Sequence, residues 1–104
     1  MFLVVFTTVE KREDGEKIAG ELVERGLAGC VQILGPITSV YRWKGRVERG
    51  EEYLCIAKTT REIYPELEKF LKEVHPYEVP EIIALPIQTG SPDYLKWLEE
   101  ACSP

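Results

Sequence analysis

Apolar and polar positions divide this chain into seven stretches. Phe2–Thr8 is a near-continuous apolar and β-branched run, as expected of a strand covered on both faces or set inside a sheet. Between Asp14 and Arg25 the period changes. Ile18, Ala19, Leu22 and Val23 recur at helical spacing, with Glu16, Glu21 and Glu24 on the opposite side. Gly26 stands where such a helix ends in the left-handed conformation. A second extended stretch runs from Ala28 to Lys44, interrupted by Gly35-Pro36. Gly45 permits a turn, and Glu52–Thr59 carries a third strand.

Thr59-Thr60-Arg61-Glu62 has the spacing of a capping box. Behind it Ile63, Leu67, Phe70, Leu71 and Val74 form one apolar helical face, which His75-Pro76 ends. Glu81–Gln88 reads as a fourth strand. Ser91-Pro92 opens a last helix through Ala101, with serine as cap and proline in the first turn. The order β-α-β-β-α-β-α predicts a single α+β domain over residues 1–104. Its simplest packing is the ferredoxin-like split βαβ sandwich, a four-stranded antiparallel sheet with two helices on one face and the third helix added.

Strand two is the anomaly. It spans about 17 residues where ~5–6 are usual, and in the ferredoxin-like order it lies on an edge. Its second half carries Ile37, Val40, Tyr41 and Trp43. A lone edge of this kind invites association. The expectation is that its overhang is covered by further copies of the chain, closed into a ring because an open contact would polymerise.

Composition narrows the partners. Thirteen Lys and Arg face eighteen Asp and Glu, a formal charge of −5 and a pI near 5.0. Such a surface disfavours nucleic acid and anionic membranes and suits cations, divalent metals included. No apolar run approaches the ~18–20 residues of a bilayer helix, and no basic region precedes Met1–Phe6 as in a signal peptide. A soluble, untargeted, cytoplasmic chain is expected. Three widely spaced cysteines, Cys30, Cys55 and Cys102, form no C-x-x-C pair and no disulfide framework. Glu supplies all but two of the acidic residues and Asn is absent, a pattern of heat-adapted proteins.

Candidate chemistry concentrates in His75-Pro76-Tyr77-Glu78-Val79-Pro80-Glu81. His75 with Glu78 or Glu81 offers an imidazole and oxygen donors suited to copper, nickel or zinc. A blander role for His75 is to cap the preceding helix and complement its dipole. One histidine cannot build a closed zinc site, but each added subunit brings another. No nucleophile-elbow, zinc-protease, phosphate-loop or dinucleotide motif is present. Glu51-Glu52 and Glu99-Glu100 are adjacent, so their side chains diverge and read as solvated surface. Tyr41, Trp43, Tyr77 and Trp97 with Lys58 suit either a ligand cleft or a subunit interface.

Over essentially its whole length the chain resembles the CutA divalent-cation tolerance family. The resemblance is carried by Ala28-Gly29-Cys30-Val31-Gln32-Ile33, Ile37-Thr38-Ser39-Val40-Tyr41-Arg42-Trp43-Lys44-Gly45, Lys58-Thr59-Thr60, His75-Pro76-Tyr77-Glu78-Val79-Pro80-Glu81-Ile82 and Tyr94-Leu95-Lys96-Trp97. It implies a ferredoxin-like subunit in a compact homotrimer, tolerance of copper and other divalent ions, and no settled catalytic activity. Of the family's metal donors only His75 carries over, since this chain has Phe6 at the first-strand cysteine position and Val74 before His75. The implied metal site is therefore His75 with Glu78 and Glu81, without an organic cofactor. The implied inter-subunit cleft is Tyr41, Trp43, Lys58, Tyr77, Glu81 and Trp97. Two alternatives stand beside a non-enzymatic copper-responsive trimer. One is a signalling module of the architecture of the PII regulators, with ligands between subunits and Lys58 meeting an anion. The other is a stable scaffold with incidental metal affinity.

Overall fold

Every predicted element forms, some with different bounds. The computed structural model describes residues 1–104. It contains β1 (Phe2–Val9), α1 (Arg12–Glu24), β2 (Cys30–Trp43), β3 (Arg46–Thr60), α2 (Tyr64–Val74), β4 (Ile83–Ile87) and α3 (Pro92–Ala101). All pairings are antiparallel and the sheet order is β2-β3-β1-β4, the ferredoxin-like split βαβ.

Alternation sorts the sheet's side chains between two faces. Leu3, Val5, Thr7 and Val9 of β1 and Cys55, Ala57 and Thr59 of β3 are buried beneath the helices. There Val5, Val9, Cys55 and Ala57 join Ile18 and Leu22 of α1 and Leu67, Phe70 and Leu71 of α2 in one core. Helix α1 approaches closely because Gly15 lacks a side chain. A Cβ there would stand 3.2 Å from Val9 Cγ2 and 3.3 Å from Cys55 Sγ. The opposite face is apolar and bare. Phe2, Val4 and Phe6 lie beside Leu54 and Ile56, with Leu34, Ile83, Leu85 and Ile87 toward the edges. Leu34 is 57 % exposed, Leu85 50 % and Ile83 49 %. Helix α3 packs at the start of β2, where Leu98 meets Gly29 and Tyr94 Oη lies 3.5 Å from Cys30 Sγ.

The long strand resolves differently from the expectation. β3 begins at Arg46, not Glu52, and pairs with β2 as far as Trp43↔Arg46. The turn is made by Lys44 (φ 51°) and Gly45 (φ 78°), the left-handed pair a two-residue hairpin needs. β1 accompanies β3 only from Tyr53 onward. A two-stranded ribbon, 37–43 with 46–52, thus projects beyond the sheet, with one edge of β2 paired by β3 of the same chain along its whole length. The β3 extension, Arg-Val-Glu-Arg-Gly-Glu, covers no core and so shows no apolar alternation. What remains unpaired is the outer edge of β2, the far side of β3 over residues 46–52 and the outer edge of β4.

Helix α2 also starts later than predicted. Thr59 and Thr60 belong to β3, so the capping box does not form. Thr60 Oγ1 accepts from Ile63 N at 3.3 Å, and Pro65 sits in the first turn. Thr59 is fully buried and its Oγ1 donates to Leu27 O at 2.8 Å. Thr59→Val keeps the shape and orphans that carbonyl. We expect a loss of about 1–3 kcal/mol, read from the urea midpoint at unchanged slope. The Gly26 turn (φ 70°) and the Ser91 cap, accepting from Tyr94 N, form as expected. The Glu, Lys and Arg surplus makes only two ion pairs, Arg12–Glu16 and Lys72–Glu68, both surface pairs one helical turn apart.

Candidate functional site: the connector between α2 and β4

His75 ends α2 in extended conformation, its N–H still bonded to Leu71 O. Leaving the helix there directs the ring inward against the end of β1. Nε2 lies 2.9 Å from Thr8 O and 3.1 Å from Thr7 Oγ1, while Nδ1 is 3.1 Å from Tyr77 N. A backbone N–H can only donate and a carbonyl only accept. Nδ1 is therefore the acceptor, and the proton resides on Nε2. Burial holds the imidazole pKa below its usual value, opposed by the Thr8 carbonyl bond and by the Glu52 and Asp14 charges.

Tyr77 continues this chain of bonds. Its ring meets His75 edge-on with centroids 4.8 Å apart, and its hydroxyl donates to Glu52 Oε2 at 2.7 Å. Burial, then the Glu52 bond and charge, keep the phenol protonated well past its usual range. Partial desolvation and the Glu52 carboxylate also push Glu81 up. The result is a bonded path Thr8–His75–Tyr77–Glu52 joining β1, the connector and β3, with Glu81 within reach of the Glu52 charge.

These contacts alter the sequence-based site. Both ring nitrogens of His75 are spent on the protein, and the ring is buried. It is a strut, not an outward-facing ligand, and does not fit the role of copper donor in this arrangement. Glu78 is exposed, and no three His, Cys, Asp or Glu side chains converge as a metal-binding group. Glu52, read as solvated surface together with Glu51, is the residue the sequence reading missed. On β3 it shares a face with Leu54 and Ile56, while Glu51 points away. No signal along the chain reveals this, because Glu52 is brought to Tyr77 by pairing 25 positions away.

The six cleft residues do not gather within one subunit. Trp43 pairs with Arg46 at the ribbon tip, whereas Lys58 lies opposite Cys30, twelve residues further along β3. At ~3.3 Å per residue that is about 40 Å, nearly the full 44 Å length of the molecule. Lys58 Nζ bonds Gln32 Oε1 at 2.6 Å, and Trp97 stands on α3 near Gly29. Tyr77 and Glu81 occupy the ribbon base. The thiols are also dispersed. Cys30 contacts Tyr94, Cys55 is in the core, and Cys102 Sγ is 3.8 Å from Thr59 Oγ1.

Residues 3–101 match the family model described as CutA1 divalent ion tolerance protein. A divalent-cation tolerance protein CutA from Thermus thermophilus is 48 % identical over 97 residues, covering 93 % of this chain and 94 % of the relative. Protein CutA of Homo sapiens is 42 % identical over 91 % of this chain and 53 % of its own length. The chloroplastic protein CutA of Arabidopsis thaliana is 44 % identical over 95 % and 54 % respectively. The chain thus spans about half the length of these human and plant relatives. A solved Thermus thermophilus divalent cation tolerance protein superposes with a TM-score of 0.96 at 47 % identity, covering 99 % of this chain and all of that one. A periplasmic divalent cation tolerance protein CutA from Archaeoglobus fulgidus gives 0.95 at 36 %, covering 99 % of this chain and all of that one.

Proposed function

From the premise that this chain belongs to the CutA1 divalent ion tolerance family, we propose that it binds divalent cations, without catalysis, as a closed homotrimer. The observation carrying this reading is that the Tyr77 hydroxyl fixes Glu52 where its charge reaches Glu81 and adds to burial in holding the Glu81 carboxyl pKa up, while neither carboxylate has a cationic partner in the chain. A divalent cation relieves exactly this kind of repulsion. The donors are oxygens, so the site is not tailored to one metal. Copper(II) leads because it tops the divalent affinity order, not through imidazole ligation.

Assembly is supported by the bare apolar sheet face and the unpaired edge of β2. Contiguous apolar surface of this kind marks an interaction site, and three-fold closure buries it without leaving an open end. The cleft reading survives only in such an assembly, where Tyr41 and Trp43 of one copy can approach groups of the next. Three free thiols fit a reducing compartment, and we place the protein in the cytoplasm. No helix is long and apolar enough to cross a membrane. The Glu-rich, Asn-free composition supports a heat-adapted source.

Calorimetric titration with Cu²⁺ at fixed pH tests the site. Glu81→Gln is expected to weaken binding about tenfold, close to 1.4 kcal/mol. His75→Gln, if folded, should leave affinity within about twofold, under ~0.5 kcal/mol. A loss on changing His75 with none on changing Glu81 would return the metal to the imidazole.

A further inference from the structure

Charges are segregated along the molecule. Arg42, Lys44, Arg46 and Arg49 crowd the tip of the ribbon, where Glu48, on the face of Arg46, is the only acid between them, and Glu51 and Glu52 stand at its base. None is in an ion pair. At the ribbon base Glu52 and Glu81 are equally without a cation. These two sets are complementary but cannot meet within one chain. Arg46 lies six residues from Glu52 on the same strand, about 20 Å at ~3.3 Å per residue. Lys58, six residues the other way, is bonded to Gln32.

Register selects the cation that faces the right way. Arg46 pairs with Trp43, and both project from the face that carries Glu52. Arg42 and Arg49 project from the other face, and Lys44 lies in the turn, its Nζ 5.7 Å from the centre of the Trp43 ring. The bare apolar sheet surface runs up to Glu52 on this same side.

We propose that Arg46 of one copy docks between Glu52 and Glu81 of the next, with Trp43 beside it, so that a neighbouring subunit completes each carboxylate site. The occupant is a second copy because the same chain carries both unpaired halves and the apolar surface connecting them. A guanidinium suits the role, having several donors in a planar fork for two carboxylates. Closing the ring satisfies every such contact at once. The inference rests on the homotrimer and carboxylate site proposed above and adds that guanidinium and divalent cation compete for the same oxygens. Cation binding therefore loosens the subunit contact, and the contact in turn weakens cation binding.

The test compares wild type, Arg46→Ala, Glu81→Gln, the double variant and Lys44→Ala, all as the full chain. Subunit dissociation is measured by sedimentation at about 0.05 and about 0.5 M salt, and Mn²⁺ binding by calorimetry. At low salt Arg46→Ala and Glu81→Gln should each shift dissociation to about tenfold higher protein concentration, and the double variant should be no worse. High salt should narrow these differences. Arg46→Ala should bind Mn²⁺ about tenfold more tightly, and Lys44→Ala should match wild type. Wild-type assembly of Arg46→Ala at both salts, or additive losses in the double variant, would overturn the proposal. Coupled assembly defects with no Mn²⁺ binding to any variant would instead sink the cation site and the competition while leaving the Arg46 contact. Single chains throughout would remove both.

Discussion

Leu85→Glu is expected to leave single chains in place of the proposed homotrimer. Leu85 lies on β4 opposite Val4, on the sheet face that no helix covers, and half of it is exposed in the single chain. A carboxylate there can reach water in the isolated subunit, at a cost within about 0.5 kcal/mol. In a closed ring the same group would be buried unpaired, at several kcal/mol per copy, and the ring holds more than one. Sedimentation should show the mass of one chain with an unchanged helical circular dichroism signal. An unaltered oligomer would mean that the apolar face is not where copies meet, and the reading of the cleft would go with it.

His75→Ala should destabilise the subunit by about 2–4 kcal/mol. The loss combines a cavity with an orphaned Thr8 carbonyl and Tyr77 N–H. His75→Gln, which keeps a side-chain donor and acceptor, should restore part of it. Unchanged urea midpoints for both would show the strut to be dispensable. The same residue sets a pH dependence. Its folded pKa lies below the unfolded value of about 6.5, so between the two the unfolded chain binds more protons. Its contribution is therefore present above about pH 6.5 and declines as pH falls through that window toward the folded pKa. Protonation places a second N–H against Tyr77 N–H, which loosens the connector. Glu81, raised instead, acts with the opposite sign. Its contribution is present below its unfolded pKa and lost as pH rises through its folded one. Subtracting the stability profile of His75→Gln from that of wild type isolates the histidine. A difference flat from pH 7 to about pH 5 would refute the assignment.

Much of the fold was legible because burial leaves a period. The α2 face Leu67, Phe70 and Leu71 and the near-continuous apolar run of β1 report the core directly, as does the left-handed Gly26. The N-terminal half of β3 left no such trace, since a ribbon with both faces outside the core is free to be charged. The capping-box spacing at Thr59 misled for a related reason. The same hydroxyl serves better in the sheet, where it bonds Leu27 O.

The site was half legible. The Pro-flanked connector announced His75, Tyr77 and Glu81 as a group, and they do lie at one place. The direction of the imidazole was not written there, because an inward or outward ring depends on Thr7 and Thr8, more than 60 positions away. The amino-acid sequence alone determined the order of elements, the split βαβ sandwich and the family, all of which follow from local period and short motifs. Only the tertiary structure decided that His75 is a strut, that Tyr77 bonds Glu52, and that Arg46 shares a face with Glu52 about 20 Å along the strand. Those are facts of connector contacts and strand register, and both come from segments distant along the chain meeting in space.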